Sequence, residues 1–153
     1  MVITDPTLLR IGAAVRLGHS GERAAAREAL AGIWDETGGD DGDPLHRCTL
    51  AHSMADMQDD VRQELAWDLR ALAAADLLTD AHLAAAGVEL SVTGLYPSLH
   101  LNLCDCYRKL GDLESARKHL QFARDTIGAL GDDAYGQLIK AGLARLAEQL
   151  GNG

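Results

Sequence analysis

Four residues in this chain have the types and spacing for metal or thiol chemistry. Cys48 and His52 stand four apart, and so do His100 and Cys104. Residues four apart share a helix face, so each pair offers one sulfur and one imidazole to the same side. Two such pairs facing one another make a Cys2His2 set, with the ligand types of a tetrahedral zinc site. The competing reading is structural, because small buried thiols and hydrogen-bonded histidines are ordinary core residues. Cysteine–histidine catalysis has less support, since His100 and Cys104 come with no third group to orient the base. The sequence contains no phosphate loop, dinucleotide fingerprint, metalloprotease motif or nucleophile elbow. The chain is therefore expected to need no cofactor and not to be an enzyme.

A second concentration of chemistry lies between Leu45 and Asp68, which holds His46, His52, Asp56, Asp59, Asp60, Glu64 and Asp68. Asp56 and Asp60 are four apart, as are Asp60 and Glu64. On a helix, like charges at that spacing repel by roughly a few tenths of a kcal/mol. Arg47, Arg62 and Arg70 are the cations expected to neutralise the stretch.

The whole chain has 153 residues and a net charge of −9. Residues 1–80 carry 7 basic and 15 acidic side chains, and residues 81–153 carry 7 and 8. Nucleic acid is disfavoured as a partner, because phosphate contacts need clustered Lys and Arg. Docking on an anionic membrane surface is disfavoured for the same reason. No apolar run approaches the roughly 18 residues of a membrane span. The first ten residues include Asp5 and Pro6 and lack the apolar core of a signal peptide. A cytoplasmic protein with three reduced thiols is the expectation. Arginine outnumbers lysine 11 to 3, which fits a bacterial origin with a GC-rich genome.

Aromatic residues make up 4% of the chain, while Ala and Leu number 25 each. A core of Ala and Leu suits close-packed helices and suits a β-sandwich badly. The helices are organised in pairs. In Pro97–Leu130, the residues Leu103, Tyr107, Gly111, Ala116, Leu120 and Ala123 fall at steps of 4, 4, 5, 4 and 3. Leu103 and Tyr107 lie on one face of a first helix. Gly111 sits in the turn, Asp112 can cap the second helix, and Ala116 lets the two helices approach closely. Thr7–Asp40 repeats the pattern with Ala14, Leu17, Gly21, Ala26, Leu30 and Ile33, and Trp34 closes it. Pro44 to about Leu78 is a third copy. Its turn, Gln58-Asp59-Asp60, has no glycine, and Leu65, Trp67, Leu69 and Leu72 form its second helix. Gln137–Gly151 is a final single helix. Thr79 can cap an additional helix from Asp80, with Leu83, Ala86, Val88 and Leu90 on its apolar side and Gly94 at its end.

This pattern resembles the tetratricopeptide repeat (TPR), a helix–turn–helix unit, most specifically over Pro97–Leu130. The resemblance implies a single all-α domain over residues 1–153. In it, seven to eight antiparallel helices would stack as a short right-handed superhelix. It also implies a concave groove, lined by the first helix of each pair, that binds a peptide segment or helix of another protein. Facing positions are Cys48, His52 and Asp56 in one unit, and Leu101, Asn102, Asp105, Arg108 and Lys109 in the next. The last unit adds Arg145, Glu148 and Gln149. His52, Asp56, Asn102, Asp105, Arg108 and Lys109 are the expected partner-binding set. Some members clamp a partner's carboxylate with Lys, Asn and Arg. This chain has Asn102, Arg108, Lys109 and Arg145 but lacks the full set. A homo-dimer through an open end of the stack is a further expectation. The alternative function is a metal-binding or regulatory helical protein using Cys48, His52, His100 and Cys104. His19, His82 and His119 read as exposed helix or turn residues, and Trp34 and Trp67 as packing between helices.

Overall fold

The computed structural model describes residues 2–151. Among them are eight α-helices and no strand, so the fold is all-α. The helices are α1 (Pro6–His19), α2 (Arg23–Glu36), α3 (Pro44–Asp56), α4 (Val61–Ala75), α5 (Asp80–Ala85), α6 (Tyr96–Lys109), α7 (Leu113–Thr126) and α8 (Ala134–Gln149). None is long and apolar enough to cross a membrane. The chain forms two compact units, Met1–Leu90 and Ser91–Gly153. Adjacent helices pair as the repeat pattern predicts: α1 with α2, α3 with α4, and α6 with α7.

In the first unit, α1 and α2 turn at Gly21, whose φ of 102° favours glycine. A Cβ at Gly18 would run into Met57 and press on Ala26, so glycine there sets the depth of packing. Ile11, Ala26 and Leu30 are fully buried between the helices. The second turn, between α3 and α4, has no glycine, and arginines from α2 support it. Arg23 donates to the carbonyl oxygens of Asp56 (3.3 Å) and Gln58 (3.1 Å), and Arg27 to that of Met57 (2.7 Å). Both arginines also reach the carboxylate of Asp59, at 3.3 and 3.4 Å. The cations at this turn therefore come from the preceding pair. Arg70, expected among the neutralising cations, lies instead over the Trp67 ring at 4.4 Å. Trp67 meets Trp34 edge to face at 5.2 Å, as the packing role for both requires.

One detail of this unit adds to the sequence reading and one corrects it. The buried face of α4 is Asp68, Ala71, Ala74 and Ala75, while Leu69 is exposed. The helix expected from Asp80 is capped by Thr79 as predicted, but it ends at Ala85. Gly87, at φ 82°, turns the chain, so Val88 and Leu90 lie outside the helix. A Cβ at Gly87 would collide with the carbonyl oxygen of Val2, because the N-terminal segment runs against it. That segment is tied in place by the Thr4 amide donating to the Ala86 carbonyl at 3.1 Å.

In the second unit, α6 and α7 turn at Gly111 (φ 83°), and Asp112 caps α7 through the Ser115 amide. Ala116, Leu120 and Ala123 of α7 are buried in one cluster with Leu101 and Cys104 of α6, Leu146 and Ala147 of α8, and Leu150, which caps α8. Burying each of the leucines contributes about 1.5–3 kcal/mol relative to exposure. Asp133 caps α8 by accepting from the Gly136 amide at 2.8 Å, so α8 begins three residues before the expected Gln137.

Candidate functional site

The face that α6 turns toward α8 forms the wall of a groove of about 380 Å³. Leu101, Asn102, Asp105 and Arg108 line it from α6, three or four residues apart on one side of the helix. Leu138, Ile139, Gly142, Arg145 and Gln149 line it from α8 at the same spacing. Leu101 also belongs to the buried core, which fixes the wall's position. Leu138 is 68% exposed, a large apolar side chain held open to solvent at the groove. Gly142 keeps the floor low. A Cβ there would lie 3.7 Å from Leu101 Cδ1 and from Arg145 Nη2, in ordinary contact.

The charges of the groove are arranged by α6. Asp105 accepts from Arg108 Nη2 at 2.8 Å and Nε at 3.2 Å, and pairs with Lys109 Nζ at 3.1 Å. Burial raises the Asp105 carboxyl's pKa, but the hydrogen bonds from Arg108 and Lys109 outweigh it and hold the net value below the usual range. Asp105 thus stays ionised and pins the Arg108 guanidinium along the helix. Such half-exposed pairs within one helix contribute about 0–1 kcal/mol to stability, so their main effect is on orientation. Arg145, exposed on α8, pairs with no carboxylate among the described residues. The groove therefore offers an unneutralised guanidinium and, about two turns earlier on the same helix, an exposed leucine.

Of the six residues expected to bind a partner, Asn102, Asp105 and Arg108 line this groove. Lys109 is held at its edge by Asp105. His52 and Asp56 lie on α3 in the first unit, His52 half-buried and Asp56 exposed. Of the last unit's three candidates, Arg145 and Gln149 line the groove and Glu148 does not. The sequence reading missed Leu138, Ile139 and Gly142. Their signal was the step of three and four leading to Arg145 on the helix already assigned.

The four candidate metal ligands are mostly packing residues. Cys48 is buried rather than groove-facing, and desolvation pushes its thiol up to about 12. Cys104 is fully buried within the cluster of Leu101, Ala116 and Leu120. Its thiol is pushed up to about 11, mainly by desolvation and further by Asp105. Either sulfur would have to lose its proton in an apolar setting before it could ligate. His100 is buried, and its Nδ1 lies 3.0 Å from Nδ1 of His119. This corrects the reading of His119 as an exposed helix residue. It is half-buried, three residues after Ala116 and four before Ala123, on the face that α7 turns to α6. The other two expected surface histidines, His19 and His82, are exposed, and His82 accepts from the Thr79 amide in the cap of α5.

The chain matches no family model, no curated protein and no solved structure.

Proposed function

We propose that this chain is a non-enzymatic, cytoplasmic interaction module that holds a peptide segment or helix of a partner protein in the α6–α8 groove. The observation that carries the reading is that one groove is lined both by exposed Leu138 and by Arg145, a guanidinium that no carboxylate of the described chain neutralises. The resemblance of Pro97–Leu130 to a TPR unit supports it, because there too the first helix of each pair lines the binding face. An apolar side chain of the partner would be buried against Leu101, Leu138 and Ile139. Arg145 and Arg108 would select an acidic neighbour and raise the rate of encounter more than the affinity. The amides of Asn102 and Gln149 have the donors and acceptors to meet a peptide backbone.

The test is affinity capture from a lysate of the producing cells, with wild type beside Arg145→Glu and Leu138→Glu. Both side chains are exposed, so helicity is expected to be unchanged. A partner retained by wild type and lost by both variants supports the groove. Equal capture by all three proteins contradicts it. These variants are cleaner than reversal of Arg108 and Lys109, whose cations both hold Asp105.

A further inference from the structure

Along the α1–α2 pair of the first unit runs an open groove of about 510 Å³. Ala14 and Ile33 are buried at its floor, and Ala13, Leu17 and Ala29 stand exposed along it. Gly32 adds to the hollow, since a Cβ there meets nothing within 4 Å. Leu9 and Leu17, both on α1, are 55% and 38% exposed. Contiguous apolar exposure of this kind marks an interaction surface.

The two helices differ in the sign of their charge. α1 contains Arg10, Arg16 and His19 and no carboxylate. On α2, Arg23 and Arg27 are committed to the α3–α4 turn, so the remaining charges are Glu28, Asp35 and Glu36. Two ties set the register between the helices. Arg10 meets Glu36 at 2.9 Å, and a Cβ at Gly18 would come within 3.2 Å of that of Ala26. Equal steps along antiparallel helices between those ties put Ala13 level with Gly32, and Arg16 level with Glu28. Arg16 and Glu28 are both exposed, and neither forms an ion pair among the described residues.

We propose that this face binds the same face of a second copy of the chain, with α1 of each copy lying on α2 of the other. A two-fold axis parallel to the helices produces that arrangement and keeps every residue at its own level. Ala13 and Leu17 of one copy then enter the groove beside Ala29 and Gly32 of the other. Arg16 of each copy meets Glu28 of the other, and the two Arg10–Glu36 pairs form a square of alternating charge. One patch thus supplies both signs, as a self-complementary contact requires. A two-fold axis across the helices would instead set α1 on α1 and α2 on α2, cation against cation and carboxylate against carboxylate. The charge pattern selects the first arrangement.

Each helix has 14 residues. The pair therefore covers roughly 21 by 20 Å, or about 400 Å² per copy. That is small for a protein interface, so the dimer is expected to be reversible and to depend on concentration. The inference is independent of the α6–α8 groove.

Sedimentation equilibrium of the full chain over a wide range of concentrations tests the contact, with circular dichroism to confirm folding. Wild type should pass from one chain to two as the concentration rises. Arg16→Glu and Glu28→Arg each set like charges at both Arg16–Glu28 contacts, and each should weaken dimerisation about tenfold or more. An equimolar mixture of the two variants should recover it, because the mixed dimer again holds opposite charges at both contacts. Ala13→Glu, at an exposed position on the same face, is an independent probe and should abolish dimerisation even if a charge-reversed variant does not fold. A wild type that remains a single chain at every concentration would overturn the proposal. So would a dimer that Ala13→Glu leaves intact, or two weakened variants that fail to recover when mixed.

Discussion

The side chain of Arg27, on α2, reaches the end of α3 and donates from Nη1 to the carbonyl oxygen of Met57 at 2.7 Å. A helix end leaves its last carbonyls without partners, and a glycine in the left-handed region is the usual remedy. The α3–α4 turn has no glycine, and the neighbouring pair of helices supplies arginine instead. One charge thereby closes a turn and joins two pairs.

Arg27→Ala should accordingly destabilise the protein by about 1–2 kcal/mol, a charged hydrogen bond discounted for partial exposure. Arg27→Lys should lose less, because an ammonium can still reach one acceptor. A lower urea midpoint at constant slope checks this.

Two helical glycines should respond in opposite directions to alanine. Helix propensity favours alanine by about 0.5–1 kcal/mol. At Gly32 of α2 a Cβ meets nothing within 4 Å, so Gly32→Ala should raise the thermal midpoint. At Gly136 the Cβ would run into the Gly131 carbonyl oxygen, a backbone atom that cannot swing aside. Gly136→Ala should therefore lower the midpoint despite its propensity.

Asp5 caps α1 and pairs with His46 of α3 at 2.8 Å. Burial raises its pKa, but the His46 hydrogen bond and the Leu8 and Thr7 amides outweigh burial, so its net value lies below 3.8. A carboxyl lowered on folding stabilises above its unfolded pKa and loses that contribution as pH falls through the folded value. Asp5→Asn keeps the cap and removes the charge. Wild type should be the more stable near neutrality, and the gap should close as the pH falls below about 3.8. Unfolding curves at stepped pH measure it.

Much of this fold was legible in the sequence because turns are punctuated locally. Gly21 and Gly111 adopt the positive φ that their place in the pattern requires, and Pro44 and Asp112 start helices where their chemistry suits them. What could not be read were relations between helices. The Arg23 and Arg27 contacts with the α3–α4 turn join residues more than 30 positions apart, and no local pattern encodes them. The buried face of α4 was not assigned from the sequence; it is an alanine stripe, Ala71, Ala74 and Ala75, together with Asp68. In the groove, Asn102, Asp105 and Arg108 were named as first-helix positions that the repeat resemblance implies, whereas Leu138 and Gly142 needed the position of α8. His119 was missed because its neighbour His100 lies across a helix crossing.

The measurement that most directly tests the groove is partner capture by Gly142→Phe. The position is inside α8 with only ordinary contacts around a Cβ, so a side chain can start there, and a ring on it occupies the groove that Gly142 lines. It also replaces a poor helix former by a better one. A binding groove predicts an equal or higher thermal midpoint and loss of the partner that wild type retains. A folded Gly142→Phe protein that holds the partner as tightly as wild type would contradict it.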